Sequence, residues 1–196
     1  MKFCRDVGLA LWISVLSCST WAASQDIHGV KVEDSATLAG TTLQLNGAGT
    51  RYKVIFKVYV AGLYLAQKAT TQSEVVKQSG PKRLSVTMLR DIDAAELGKL
   101  LTRGIEDNMG AAAMSTLVPG LVRMGEMFAA QKKMAAGDTF IIDWIPGQGT
   151  VITVKGAVQG EPFKEPEFFA ALMSIWLGPA PADQKLKEAL LGGGKS

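Results

Sequence analysis

Residues 45–65 read LNGAGTRYKVIFKVYVAGLYL, and they are the most informative part of the sequence for the fold. Its second half, from Val54 to Leu65, is apolar apart from one lysine. A strand this apolar needs cover on both faces, so we expect it at the centre of a sheet. Its first half contains the glycine-rich segment Asn46–Gly49, whose composition is typical of a turn. We therefore expect a strand over residues 41–45, then this turn, then the central strand.

The rest of the chain groups its strands apart from its helices, which indicates an α+β fold with an antiparallel sheet and one domain over residues 23–196. Further strands are predicted over residues 27–32, 83–89, 139–145 and 150–155, the last two joined by a turn at 146–149. Helices are predicted over residues 71–78, 94–109, 117–134, 165–177 and 185–191. Asp93 with Glu96 three residues on resembles a capping box that opens the second helix, and Pro119 suits the first turn of the third.

The first 22 residues are predicted to form a cleaved signal peptide. Lys2 and Arg5 precede an apolar run over residues 7–16. That run is about ten residues long, too short for the roughly 20 that a membrane-spanning helix needs. Thr20-Trp21-Ala22 has the spacing of a cleavage site, whereas Cys18 would become the first residue under the alternative of a lipoprotein signal. Both alternatives place the mature protein outside the cytoplasm, in the periplasm or secreted.

Composition excludes several classes of site and partner. The only cysteines, Cys4 and Cys18, lie within the predicted signal, so the remaining chain can form neither a disulfide nor a thiolate metal site. The formal net charge is +3 and no basic run is present, which argues against a nucleic-acid partner. No membrane span is predicted, and the sequence gives no oligomeric state.

The sequence also lacks the usual combinations of catalytic or metal-binding residues. His28 is the only histidine, so neither a histidine metal cluster nor a Ser-His-Asp triad can form. The carboxylates show no pairing of the kind used in acid–base catalysis, and Asp143, between two apolar residues, is expected to face water. We therefore predict no catalytic residue, no metal and no cofactor.

Arg51 and the tyrosines of the same stretch are the best candidates for a binding site. Arginine offers a planar set of donors that matches a carboxylate, and a tyrosine hydroxyl adds another donor. At the end of an apolar cleft, such a pair would orient an amphipathic acid. The alternative is an arginine that only braces the glycine turn, beside tyrosines that belong to the core.

Residues 47–51 and then 57–65 (KVYVAGLYL) resemble the arginine turn and the following K-F-T-x-x-G-V-Y-L strand of the chalcone isomerase family. The likeness is greatest to exported bacterial chalcone-isomerase-like proteins. It implies an open-faced sandwich, in which helices cover one face of a large antiparallel sheet and the ligand cleft lies between them.

The resemblance also implies a set of site residues: Arg51, Tyr59, Asn108 and Ser174. Tyr59 stands where plant enzymes of the family have a threonine, and Leu101 where they have a tyrosine. Because two polar groups that would hold the substrate ketone are thus absent, we expect little isomerase activity. Another branch of the family binds fatty acids by an arginine and a tyrosine, an arrangement that Arg51 and Tyr59 resemble.

This arrangement requires a particular backbone. On one unbroken strand, Arg51 and Tyr59 would lie about 26 Å apart, at roughly 3.3 Å per residue. A tight bend or bulge near Val54-Ile55 is therefore a condition of the site.

These observations predict a non-catalytic binding protein for a small amphipathic or fatty-acid-like ligand. Two alternatives stay open: an intramolecular lyase of chalcone isomerase type with an altered substrate, and a ligand-free scaffold of the cell envelope.

Overall fold

The computed structural model describes residues 24–193; the predicted signal peptide, with Cys18, lies outside them. The strands are β1 Ser24–Ile27, β2 Val30–Glu33, β3 Ser35–Leu38, β4 Thr41–Lys53, β5 Phe56–Leu65, β6 Lys82–Met88, β7 Ile92–Asp93, β8 Lys133–Met134, β9 Thr139–Ile145, β10 Gly149–Val154 and β11 Ala157–Val158. The helices are α1 Gln72–Lys77, α2 Ala94–Glu106, α3 Ala111–Ala129, α4 Pro166–Leu177 and α5 Gln184–Leu190.

A seven-stranded antiparallel sheet in the order β11-β10-β9-β6-β5-β4-β3 forms the framework. The main core joins one face of this sheet to helices α2, α3, α4 and α5. The α+β prediction, with helices on one face of a large antiparallel sheet, is therefore confirmed. No helix within residues 24–193 is both long enough and apolar enough to cross a membrane.

Strand β5 occupies the middle of the sheet, as its apolar sequence predicts. Every residue from Val58 to Leu65 is buried. Tyr59 and Leu63 enter the main core, whereas Val60 and Tyr64 enter a second, smaller core under the β1–β2 hairpin. Cover on both faces explains why the strand can be apolar almost throughout.

The predicted turn at Asn46–Gly49 is wrong, because β4 runs straight through these residues to Lys53. The glycines are needed for close packing instead. A β-carbon on Gly47 would overlap the carbonyl oxygen of Ala189 in α5, and one on Gly49 would come within 2.8 Å of the Ala189 side chain. Helix α5 can therefore cross β4 only where the strand has no side chains.

The bend required near Val54-Ile55 is present, although the sequence there contains no residue that favours a turn. Lys53 pairs with Phe56, so Val54 and Ile55 form a two-residue hairpin loop between β4 and β5. Val54 has a φ of +60°, a value uncommon for a β-branched residue. The predicted strand over residues 54–65 accordingly begins two residues later, at Phe56.

Two other boundaries differ from the predictions. The expected strand over residues 27–32 is the β1–β2 hairpin, which turns at His28-Gly29 with both residues at positive φ. Helix α3 begins at Ala111 and includes Pro119 in its interior, whereas the predicted helix began at Leu117 with the proline in its first turn. Asp93 caps α2 through the amide of Glu96 at 2.9 Å, as predicted.

Asp143 is buried, contrary to the expectation that it faces water; it is 5% exposed. It lies opposite Arg83 on the neighbouring strand and accepts two hydrogen bonds from that guanidinium, both at 2.7 Å. The alternation along β9 correctly places Asp143 on the face away from the helices, but this face is partly covered and not open to solvent.

Candidate ligand-binding site

The β4–β5 hairpin places Arg51 and Tyr59 directly opposite each other. Tyr52 pairs with Lys57 and Arg51 with Tyr59, so Val58 is an extra residue on β5. Directly opposed residues of an antiparallel pair point to the same face of the sheet. The bulge therefore gives Arg51 a tyrosine neighbour, where a regular ladder would give it Val58.

The Arg51 side chain is half-buried and has few partners. Its guanidinium carbon lies 5.5 Å from the centre of the Tyr59 ring, within the range of a cation–π contact. Its Nε is buried without a hydrogen-bond partner. Within residues 24–193, no carboxylate forms a salt bridge with this guanidinium.

Tyr59 is 2% exposed, and its hydroxyl accepts a hydrogen bond of 2.8 Å from the indole of Trp176 in α4. Burial raises the pKa of the Tyr59 phenol above its ordinary value, although the positive charge of Arg51 and the bond from Trp176 act in the opposite direction. The phenol is therefore protonated at neutral pH. Since the Trp176 bond uses an acceptor position, the hydroxyl proton stays available to another group.

A cleft of about 270 Å³ lies beside this pair. Leu97, Leu101 and Ile175 give it apolar walls, and Arg103 of α2 and Asp107, directly after that helix, also line it. Larger depressions of about 810, 690, 550 and 400 Å³ occur elsewhere on the surface. The 550 Å³ depression also combines apolar walls with an arginine, Arg123, but none of the four is lined by Arg51 or Tyr59. The smaller cleft is the better candidate because it contains the pair that the family resemblance indicates.

Asn108 and Ser174 do not line the cleft. The Asn108 side chain bonds the backbone of Gly104 and of Ala180 at 2.8–2.9 Å, and so fastens the segment after α4 to the end of α2. The Ser174 hydroxyl is buried and donates to the Ala171 carbonyl at 2.6 Å. Direct ligand contact by these two residues stays a prediction, while the structure gives both side chains backbone partners.

The sequence profile of the family described as chalcone isomerase-like matches residues 24–192. This chain belongs to the chalcone isomerase-like family. Among solved structures, a fatty-acid binding protein of Arabidopsis thaliana is similar to this family member in fold, with a TM-score of 0.66. The two chains are 14% identical, and the match covers 87% of this chain and 96% of the other. No curated protein matches the sequence.

In this chalcone isomerase-like domain, three neighbours of the site were not predicted from sequence. Trp176 is the first of them, and the signal that could have found it is that a buried indole needs a hydrogen-bond partner. Asp183 caps α5 and accepts the amide proton of Tyr52 at 2.9 Å, which ties the hairpin to the loop before α5. Arg103 lies one helical turn from Leu100 on α2, but nothing in the local sequence relates it to Arg51.

The described residues offer no obvious metal site. Within residues 24–193, no three His, Cys, Asp or Glu side chains group closely enough to hold a metal ion. What the cleft does offer is a guanidinium and a phenol beside apolar side chains.

Proposed function

We propose that this protein is an exported, non-catalytic binding protein for a small amphipathic carboxylic acid. The carboxylate would contact Arg51 and Tyr59, and the apolar body would lie against Leu97, Leu101 and Ile175. The observation that carries the proposal is the Arg51 guanidinium, which is half-buried, forms no salt bridge with any carboxylate of residues 24–193, and lines a cleft with apolar walls.

The state of Arg51 favours a ligand over a structural role. An arginine with a purely structural role would donate hydrogen bonds to carbonyl oxygens or carboxylates of the protein, because a buried donor without a partner costs about 1–3 kcal/mol. Arg51 instead keeps its Nε unpartnered beside the cleft. A ligand carboxylate would accept a hydrogen bond from the guanidinium, and the free proton of the Tyr59 hydroxyl would provide a second hydrogen bond.

The size of the cleft limits the ligand. At about 270 Å³ it is just below the range of roughly 300–1,000 Å³ that is usual for small-molecule pockets. A compact or short-chain acid therefore fits this conformation better than a long-chain one. The fold it shares with a fatty-acid binding protein supports an acid as the class of ligand.

The absence of catalysis is proposed from the chemistry of the lining. Leu101 presents an apolar wall to the cleft at the position where the family resemblance places a tyrosine. Asn108 and Ser174, which the resemblance would place at the substrate, have backbone partners here. In our proposal neither residue contacts the ligand, and both help to hold the loop and the helix that border the cleft.

Export is proposed from the first 22 residues alone. The mass and N-terminal sequence of protein recovered from the periplasmic fraction of a bacterial host would test it. We expect a mature start at Ala23 or Ser24. An acylated start at Cys18 would support the lipid-anchored alternative, and an intact N-terminus in the cytoplasm would contradict export.

Calorimetric titration with saturated carboxylic acids of graded chain length tests the binding function. We expect binding by the shorter acids and a loss of about 1.5–3 kcal/mol in Arg51→Ala, the usual worth of a hydrogen bond to a charged group. This loss corresponds to about a 10- to 150-fold higher Kd.

Arg123 provides a matched control. It also has a buried Nε without a partner and lies over an aromatic ring, that of Phe163, but it lines a different depression. Arg123→Ala should therefore leave acid binding unchanged. Equal losses in the two variants, or an unchanged Kd in Arg51→Ala, would contradict the proposed site. Cyclisation of hydroxychalcones that depends on Arg51 would favour the lyase instead.

A further inference from the structure

The tip of the β4–β5 hairpin exposes three consecutive large apolar side chains. Val54, Ile55 and Phe56 are 89%, 78% and 57% exposed. We call these three residues the apolar tip. Scattered exposed apolar residues are ordinary, but three in succession at the end of a protruding hairpin indicate a contact surface.

The apolar tip is also unfavourable for the hairpin itself. A two-residue loop prefers Asn-Gly or a similar pair, because at least one residue takes a positive φ. Val54 takes that conformation, at +60°, although its branched β-carbon disfavours it. A turn sequence that served only to connect β4 and β5 would be both more polar and less strained.

Basic side chains surround the apolar tip. Lys53 and Lys57 are exposed on either side of it, and the guanidinium of Arg90 lies 5.3 Å from the centre of the Phe56 ring. We call these three residues the basic collar. None of them forms a salt bridge within residues 24–193.

Two acidic residues lie beside the collar, and both have partners. The Asp183 carboxylate accepts the amide proton of Tyr52 at 2.9 Å. Asp91 follows Arg90 in the chain, and its carboxylate lies 2.5 Å from the Lys133 ammonium group. From Thr50 to Val58 the hairpin itself contains no acidic residue. The collar therefore presents net positive charge around an apolar centre.

We propose that the apolar tip and the basic collar dock this protein on an anionic lipid bilayer. Apolar side chains with a polar, basic surround insert into the boundary between headgroups and acyl chains, to a depth of about 5–10 Å. Anionic headgroups would meet the collar at that depth. Strand geometry places Arg51 about 10 Å from Val54, so the candidate cleft would lie close to the membrane surface.

A convex tip favours a bilayer over the other possible occupants. Nucleic acid would use the collar but leave the apolar tip exposed. A second copy of this chain would bring two basic collars together, which is repulsive. The docking proposal rests on the tip and the collar alone and does not depend on a ligand at Arg51.

The test uses residues 23–196, which contain every described strand and helix, and measures sedimentation with vesicles. One set of vesicles contains equal parts phosphatidylglycerol and phosphatidylethanolamine, and the other contains phosphatidylcholine alone. We expect binding to the anionic vesicles that weakens as salt is added, and much weaker binding to the neutral ones.

The variant V54N/I55G removes two side chains of the apolar tip and installs a favourable hairpin turn, so it should fold at least as well as the parent. We expect its partition onto anionic vesicles to fall about 100-fold, taking about tenfold for each partly inserted side chain. The matched control V118N/V122N removes two exposed valines from α3 and should bind like the parent.

The variant K53Q/R90Q removes two charges of the basic collar. We expect a fall of about 25-fold, because each basic side chain near an anionic surface contributes about a factor of five. A dye on Ile55→Cys, in a chain without other cysteines after residue 18, should report an apolar environment on binding.

Equal binding of V54N/I55G and the parent would overturn the proposal. So would equal binding to neutral and anionic vesicles. Dimers of the parent that V54N/I55G abolishes, without binding to either vesicle, would make a second copy the occupant and would also overturn it.

Discussion

Replacing Arg51 by methionine should stabilise the ligand-free protein while removing its affinity for acids. The apolar stem of the side chain is kept by methionine, whereas the buried Nε without a partner is removed. Relief of one such donor is worth about 1–3 kcal/mol, and loss of the contact with the Tyr59 ring costs about 0.5–1 kcal/mol. We therefore expect the free energy of unfolding to rise by about 1 kcal/mol.

Urea unfolding of protein freed of bound lipid measures this change. A higher midpoint with an unchanged slope would show a gain in stability without a change in the surface exposed on unfolding. In thermal unfolding, the gain corresponds to a rise in Tm of about 2–4 °C for a domain of this size. Arg123→Met serves as the control, since Arg123 also has a buried Nε without a partner but lies away from the cleft.

Adding ligand should reverse the order of stabilities. At a free acid concentration 100 times its Kd, the parent should gain about 2.7 kcal/mol, and Arg51→Met should gain much less. Arg123→Met should gain as much as the parent. If Arg51→Met instead loses about 1–3 kcal/mol without ligand, the arginine braces the fold and our reasoning about the site is refuted.

Two further predictions concern the framework of the site. Gly47→Ala should lower the free energy of unfolding by about 3 kcal/mol, because its β-carbon would overlap backbone atoms of α5. The control Gly125→Ala, at a helix position with nothing within 4 Å, should raise it by about 0.5–1 kcal/mol. Equal effects of the two substitutions in denaturant unfolding would contradict the packing role of Gly47. A double-mutant cycle of Tyr59→Phe and Trp176→Phe should show a coupling of about 1 kcal/mol in the free energy of unfolding, from the hydrogen bond between the two side chains. Additive losses would show that this bond contributes nothing to stability.

The sequence determined the elements whose signals are local. The apolar run over β5 predicted a strand covered on both faces, since in a strand successive side chains report the two faces directly. Asp93 with Glu96 predicted the start of α2 because the cap bond joins residues three apart. The residues that resemble the chalcone isomerase family lie on either side of the β4–β5 loop. They identified the family and pointed to Arg51 and Tyr59.

Tertiary structure decided what each of these residues does. Gly47 and Gly49 have the composition of a turn, but their role is set by α5, a helix about 140 residues further along the chain. The actual turn consists of valine and isoleucine, which have low turn propensity, so the local sequence does not predict it. Asn108 and Asp143 similarly take their roles from Ala180 and Arg83, which are distant in sequence.

The same distinction applies to the site. Sequence alone gave the condition that Arg51 and Tyr59 must be brought together by a bend, but it could not show that the bend exists. The bend, the bulge at Val58 and the cleft beside the pair depend on how β4, β5, α2 and α4 pack. Local sequence encodes which face of a strand is apolar, whereas close approach and void volume are properties of surfaces that meet only in the folded chain.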